Sequence, residues 1–130
     1  MKVVFPTVDQ VLEIHMLSLA RYGGAEGIRE PSLLESALAQ PQAVFGGQFL
    51  HESLFMMAAA YLFHLVKNHP FVDGNKRIGL ATALAFLDTN GVVIDRGTEA
   101  LFETTMAVAG GRLTKEEVAE VLRQLAAMSA

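Results

Sequence analysis

The chain has no cysteine, which excludes disulfides, thiolate nucleophiles and cysteine-bound metals. A reducing cytoplasm is compatible with that absence without being required by it. Charge is scarce as well: charged residues make up 18% of the chain against 52% hydrophobic ones. That balance excludes a disordered chain and leaves apolar surface for a protein partner to cover. Positive charge is in the minority, with ten Lys and Arg against fourteen Asp and Glu and a net charge of −4. A protein held to nucleic acid by many phosphate contacts is thereby excluded, and any phosphate contact should be local. Ser53 to Val66 runs uncharged if His64 is neutral, but it is shorter than the roughly 18 residues of a membrane span and reads as a buried helix. Met1 to Thr7 offers one cation and three apolar residues before Pro6, too few for the apolar region of a signal peptide. The protein is therefore expected to stay in the cytoplasm where it is made. No repeat, low-complexity tract or dividing linker occurs, so residues 1–130 are expected to form one domain.

What is present is helical punctuation. Thr7-Val8-Asp9-Gln10 reads as a capping box, and Val11, Ile14, His15, Ser18 and Leu19 recur at helical spacing up to about Arg21. Gly23, Gly24 and Gly27 then mark a loop with accessible backbone. Pro31 opens a short helix through Leu33, Leu34, Ala37 and Leu38 that should end before Pro41. Phe45-Gly46-Gly47 reads as another loop. Glu52 to about Asn68 and Asn75 to about Thr89 are expected to be central helices, the first apolar on most sides. Asn90-Gly91 closes the second, and Val92-Val93-Ile94 is too short to infer a sheet. A helix over Thr98 to Ala109 and another opened by the capping box Thr114-Lys115-Glu116-Glu117, running through Leu125, complete a compact all-α bundle of six helices.

The chemistry concentrates in His69-Pro70-Phe71-Val72-Asp73-Gly74-Asn75-Lys76-Arg77, between the two central helices. The N–H groups at the start of the following helix lack intrahelical partners, and the helix dipole there is positive, so an anion is bound with little rearrangement. Gly74 lets a ligand approach the backbone, while Lys76 and Arg77 add two cations, the second a planar fork matched to phosphate oxygens. Asp73 is a hard oxygen ligand suited to Mg²⁺ beside nucleotide phosphates, His69 a proton acceptor near neutral pH, and Asn75 an orienting amide. Taken singly, each residue has a plainer structural role: His69 packs, Asp73 and Asn75 cap, and Lys76 and Arg77 are solvated. Nine residues carrying all of them favour a phosphate-handling site.

Other constellations fail on spacing. His51-Glu52 begins like a zinc-protease helix, yet Phe55 stands where the second His is needed. His64 and His69 are five positions apart, wrong for two ligands on one helical face. Neither glycine-bearing stretch satisfies a dinucleotide or P-loop pattern. His15 and Tyr61 read as core or interface residues.

The nine-residue motif resembles the signature of the Fic/Doc family, His-x-Phe-x-Asp/Glu-Gly-Asn followed by a variable residue and Arg. Similarity to the Doc (death-on-curing) branch extends through Arg21-Tyr22-Gly23-Gly24 with Gly27, Leu33-Leu34-Glu35-Ser36-Ala37-Leu38 with Pro41, and Ala85-Phe86-Leu87 with Asn90-Gly91. By position, the resemblance implies that His69 transfers the proton, Asp73 holds magnesium, and Asn75, Lys76 and Arg77 bind phosphate and form the anion hole, with Gly74 in the nucleotide site. Phe71 would anchor the loop. The Gly23 to Glu30 segment, with Gly23, Gly24 and Gly27, is similar to the family's flap, which aligns an extended target segment by main-chain hydrogen bonds.

Two departures from the general Fic signature decide what the resemblance implies about the reaction. Lys76 stands in place of a glycine, and Leu80 in place of a second, phosphate-binding arginine. Doc-like members share the lysine, which implies ATP turned so that the γ-phosphate faces the acceptor, hence phosphorylation of a Ser or Thr hydroxyl. The implied biology is a toxin of a toxin–antitoxin pair acting on a translation elongation factor and neutralised by an antitoxin. No inhibitory Ser/Thr-x-x-x-Glu-Gly/Asn helix is present, consistent with an inhibitor supplied in trans. AMP transfer to a hydroxyl, and a non-catalytic binding module on the same fold, are the alternatives.

Overall fold

The computed structural model describes residues 2–129; Met1 and Ala130, the outermost residues of the span read above as one domain, lie outside the described residues. Six α-helices lie among them: α1 (Val8–Tyr22), α2 (Pro31–Ala39), α3 (Leu54–Asn68), α4 (Asn75–Thr89), α5 (Thr98–Ala109) and α6 (Lys115–Met128). The all-α reading of the sequence holds. Thr7 and Thr114 both close true capping boxes, each hydroxyl accepting from the backbone N–H three residues on while Gln10 and Glu117 reach back to the cap N–H. Such caps each stabilise a helix end by about 1 kcal/mol.

Two local expectations are corrected. Helix α3 starts at Leu54 rather than Glu52, because Ser53 is the N-cap and its Oγ accepts the Met56 N–H at 3.1 Å. Phe45-Gly46-Gly47 is part of a small antiparallel hairpin, β1 (Val44–Phe45) paired with β2 (Gln48–Phe49), with Val44 opposite Phe49 and Phe45 opposite Gln48. Gly46 and Gly47 take φ of 61° and 80°, the positive pair that a two-residue hairpin turn requires.

Helix α3 is the hub, packed most extensively on α4 and then on α6, α2 and α5. Ala58 through Leu62 are inaccessible to solvent, so this helix is apolar all round because it is surrounded. Helix α4 buries the stripe Ile78, Gly79, Thr82, Ala83, Phe86 and Leu87 against it. Gly79 permits the approach: a Cβ there would lie 2.9 Å from the Val66 methyl and 3.2 Å from the Leu62 carbonyl. Phe86 stacks on Phe5 and tilts against the buried Tyr61, tying the N-terminal segment to the centre. The core thus grips α3 and α4 along their lengths and leaves the turn joining them at one end.

Candidate active site

Helix α3 ends at Asn68, His69 follows as its C-cap in the left-handed region (φ 52°, ψ 53°), and α4 starts at Asn75 after Gly74. Between them Phe71 is fully buried, its ring stacked on that of His15 with centroids 3.8 Å apart and planes 17° from parallel. The Asn75 side chain is buried too, its Oδ1 accepting the Phe71 N–H at 2.9 Å and its Nδ2 donating to the Phe71 carbonyl at 3.0 Å. His15 donates from Nε2 to the Asp73 carbonyl at 2.8 Å. Three buried side chains therefore hold the turn from beneath, and the polar residues of the motif are displayed on a fixed backbone.

The glycine-rich segment lies over this turn. Ile28 bridges Phe71 in antiparallel fashion, the Val72 N–H donates to the Gly27 carbonyl at 3.0 Å, and the Arg29 and Glu30 N–H groups donate to the Pro70 carbonyl. Further along, the Ala25 N–H donates to Asp73 Oδ2 at 3.1 Å, and Arg77 donates from Nη2 to the Gly23 carbonyl at 2.9 Å. Gly24 makes these contacts possible. It sits at φ 120°, and a Cβ there would come within 2.8 Å of Asp73 Oδ2 and 3.0 Å of Arg77 Nη2. The Arg77 guanidinium also lies over the exposed Tyr22 ring, 5.7 Å from its centroid.

Asp73 is exposed, yet the N–H groups of Ala25 and Gly74 hold its carboxyl below the usual carboxylate range, with Arg77 adding to the effect. It is a carboxylate at neutral pH. A cleft of about 640 Å³ opens beside it, with His69, Asp73, Gly74, Asn75, Lys76 and Arg77 all on its lining. The rest of the lining is less polar and includes Leu80 of α4 and Phe102, Thr105 and Met106 of α5. The cleft therefore combines a helix start and two cations with apolar surface. Among the described residues no three His, Asp or Glu side chains converge as a metal cage. Asp73, with lone pairs left on both oxygens, suits a cation that draws its remaining ligands from phosphates and water.

A family model described as the Fic/DOC family matches residues 5–87. The chain belongs to the Fic/DOC family. That match takes in the flap segment, the motif turn and most of α4. Among relatives, the chain is 33% identical over 117 residues, 90% of its length and 91% of the relative's, to a protein named Protein kinase doc from Escherichia phage P1. It is 45% identical over 71 residues, 55% of either chain, to a protein named Toxin Doc from Mycolicibacterium smegmatis.

The structure brings together every motif residue singled out in the sequence. His69, Asp73, Gly74, Asn75, Lys76 and Arg77 share one cleft, and Leu80 lines it too. The flap glycines Gly23 and Gly24 lie against Asp73 and Arg77, and Gly27 against Val72. Sequence reasoning missed three contributions. His15 read as core and is buried, but it also holds the Asp73 carbonyl; a histidine in a mostly apolar helical stripe was the available signal. Arg29 contacts the end of α3 from forty positions away, and the α5 wall lies beyond Thr98; no local pattern announces either. His51 and His64, each of which failed above as a metal ligand on spacing, meet instead at Lys115, whose Nζ donates to their Nε2 atoms at 3.3 and 3.1 Å.

Proposed function

We propose that this Fic/DOC protein is a toxin of a toxin–antitoxin pair that transfers the γ-phosphate of ATP to a Ser or Thr hydroxyl of a target protein. The observation that carries the reading is the composition of one cleft: Lys76 and Leu80 line it together with His69, Asp73 and Arg77. A second arginine in place of Leu80 would offer another phosphate subsite; leucine removes it, and Lys76 concentrates positive charge at the α4 start. The names of the two relatives, a protein kinase and a toxin, support the same reading.

In this mechanism His69 accepts the proton of the acceptor hydroxyl as its oxygen bonds to the γ-phosphorus and the bond to the β,γ-bridging oxygen breaks, releasing ADP. Lys76, Arg77 and the first N–H groups of α4 hold the phosphates and offset the charge that spreads over them. Asn75 acts through the Phe71 backbone, fixing the turn that presents these groups. A magnesium ion, held by Asp73, would neutralise phosphate charge when bound. Leu80, Phe102 and Met106 give the base a surface to lie on. The flap glycines Gly23, Gly24 and Gly27 belong to the segment that aligns an extended stretch of target. The target is a cytoplasmic translation elongation factor, and a cognate antitoxin covers apolar surface such as Phe45 and Leu50 at the hairpin.

ATP labelled at the α- or γ-phosphate tests the reaction on a bacterial translation extract. Label should reach protein from the γ-position alone; transfer from the α-position alone would make this an adenylyltransferase. Growth inhibition that survives His69→Ala in a folded chain would instead mark a binding module.

A further inference from the structure

His69 is the one residue other than glycine that the described backbone holds at positive φ. Such a conformation is unfavourable for an L-residue, so neighbours must impose it. The place is one where they can, because the last carbonyls of α3 have no partners within the helix.

Arg29 supplies partners to three successive carbonyls. Its Nη2 donates to the Asn68 carbonyl at 3.0 Å, its Nε to the His69 carbonyl at 2.7 Å, and its backbone N–H to the Pro70 carbonyl at 2.7 Å. The Asn68 carbonyl belongs to the peptide plane entering the His69 Cα, and the His69 carbonyl to the plane leaving it. Peptide planes are rigid, so fixing both fixes φ and ψ, and with them the direction in which Cβ leaves the backbone. A planar guanidinium meets two carbonyls at once with preset geometry, which a lysine ammonium does not.

We infer that Arg29 is the positioning residue for His69: its guanidinium locks the left-handed backbone that points the imidazole into the cleft. The inference rests on His69 as the proton acceptor of the proposed reaction. It also makes the flap part of the catalytic geometry, since Arg29 sits in the segment whose backbone pairs with residues 70–72. Arg29 is exposed, so water can solvate the carbonyls it leaves and the core does not depend on it. His69, once released, relaxes to an ordinary conformation.

The test uses the full chain as wild type, Arg29→Ala and Arg29→Lys. Melting temperature, nucleotide affinity by calorimetry, kcat and KM for labelled-ATP transfer, and the Cα and Cβ chemical shifts of His69 are measured for each. Arg29→Ala should lower kcat roughly tenfold to a hundredfold, the penalty of a catalytic group displaced by about 1 Å. Its nucleotide affinity and KM should stay within about twofold of wild type. The His69 shifts should leave the left-handed range, and added guanidinium at low, non-denaturing concentration should restore part of the lost kcat. Arg29→Lys should fall between wild type and Arg29→Ala, and it keeps the comparison available if the alanine variant folds poorly. Unmoved His69 shifts, or a loss of nucleotide affinity matching the loss of kcat, would overturn the positioning role. A wild-type chain that transfers no label counts against the proposed reaction alone, because the shifts are read without turnover.

Discussion

Asp73 carries its charge in the open, and the two backbone N–H groups that stabilise it come from different places, the flap and the motif turn. Both donors favour its ionised form, so the residue is set to meet a cation without first losing a proton. Replacing it by Asn keeps the shape while removing the charge and one acceptor oxygen. Asp73→Asn should weaken magnesium-dependent ATP binding roughly tenfold, the scale of one lost charge-assisted contact, with metal-free binding little changed. Calorimetry with and without magnesium decides it, and equal affinities in both chains would remove Asp73 from the metal site. Individual residues of the motif were legible because their side chains are specific to the chemistry and lie within nine positions. What they touch was not. Nothing in the sequence says that Asn75 turns inward onto Phe71, or that His15 lies beneath Asp73, since both facts depend on how α1 crosses the turn.

At the scale of elements, the geometry of the turn is inherited from the close contact of α3 with α4. Gly79→Ala tests that inheritance. Alanine raises helix propensity by about 1 kcal/mol, but its methyl would meet Val66 at 2.9 Å and the Leu62 backbone at 3.2 Å. Backbone cannot yield as a side chain can, so separation of the helices should win, at a net cost of about 1–3 kcal/mol. A lowered melting temperature together with reduced transfer is the expected outcome; a more stable variant would show that the helices have slack. Helix positions were readable from period and caps, with Thr7 and Thr114 behaving as their capping boxes required. Ends were less so. Ser53 overrode Glu52 as the start of α3 by offering a hydroxyl to Met56, and the Gly46-Gly47 turn drew its short apolar neighbours into a hairpin. Such choices are settled by one hydrogen bond or one pair of dihedrals, below what hydrophobic periodicity resolves.

For the molecule as a whole, the cluster of His51, His64 and Lys115 joins α6 and the segment before α3 to the hub helix. Burial, reinforced by the Lys115 ammonium and His51, pushes His64 down to about 4; burial and the same ammonium also lower His51. Because the folded value lies below the ordinary 6.5, the unfolded chain takes up the proton first as pH falls. Stability from this cluster is therefore complete above about pH 6.5 and drains away towards pH 4. His64 is only partly buried, so solvent screening leaves a loss of about 1 kcal/mol by pH 5, a few degrees of melting temperature. Calorimetric scans at pH 7.5 and 5 should show it, and His51→Gln with His64→Gln should flatten the difference. The chain also contains two tyrosines and no tryptophan. Tyr61 is sealed in the core, while Tyr22 is exposed beside the guanidinium of Arg77, a residue that lines the cleft. Its near-ultraviolet emission is thus an intrinsic gauge of site occupancy: ligands that pull Arg77 away should change the signal without any attached dye.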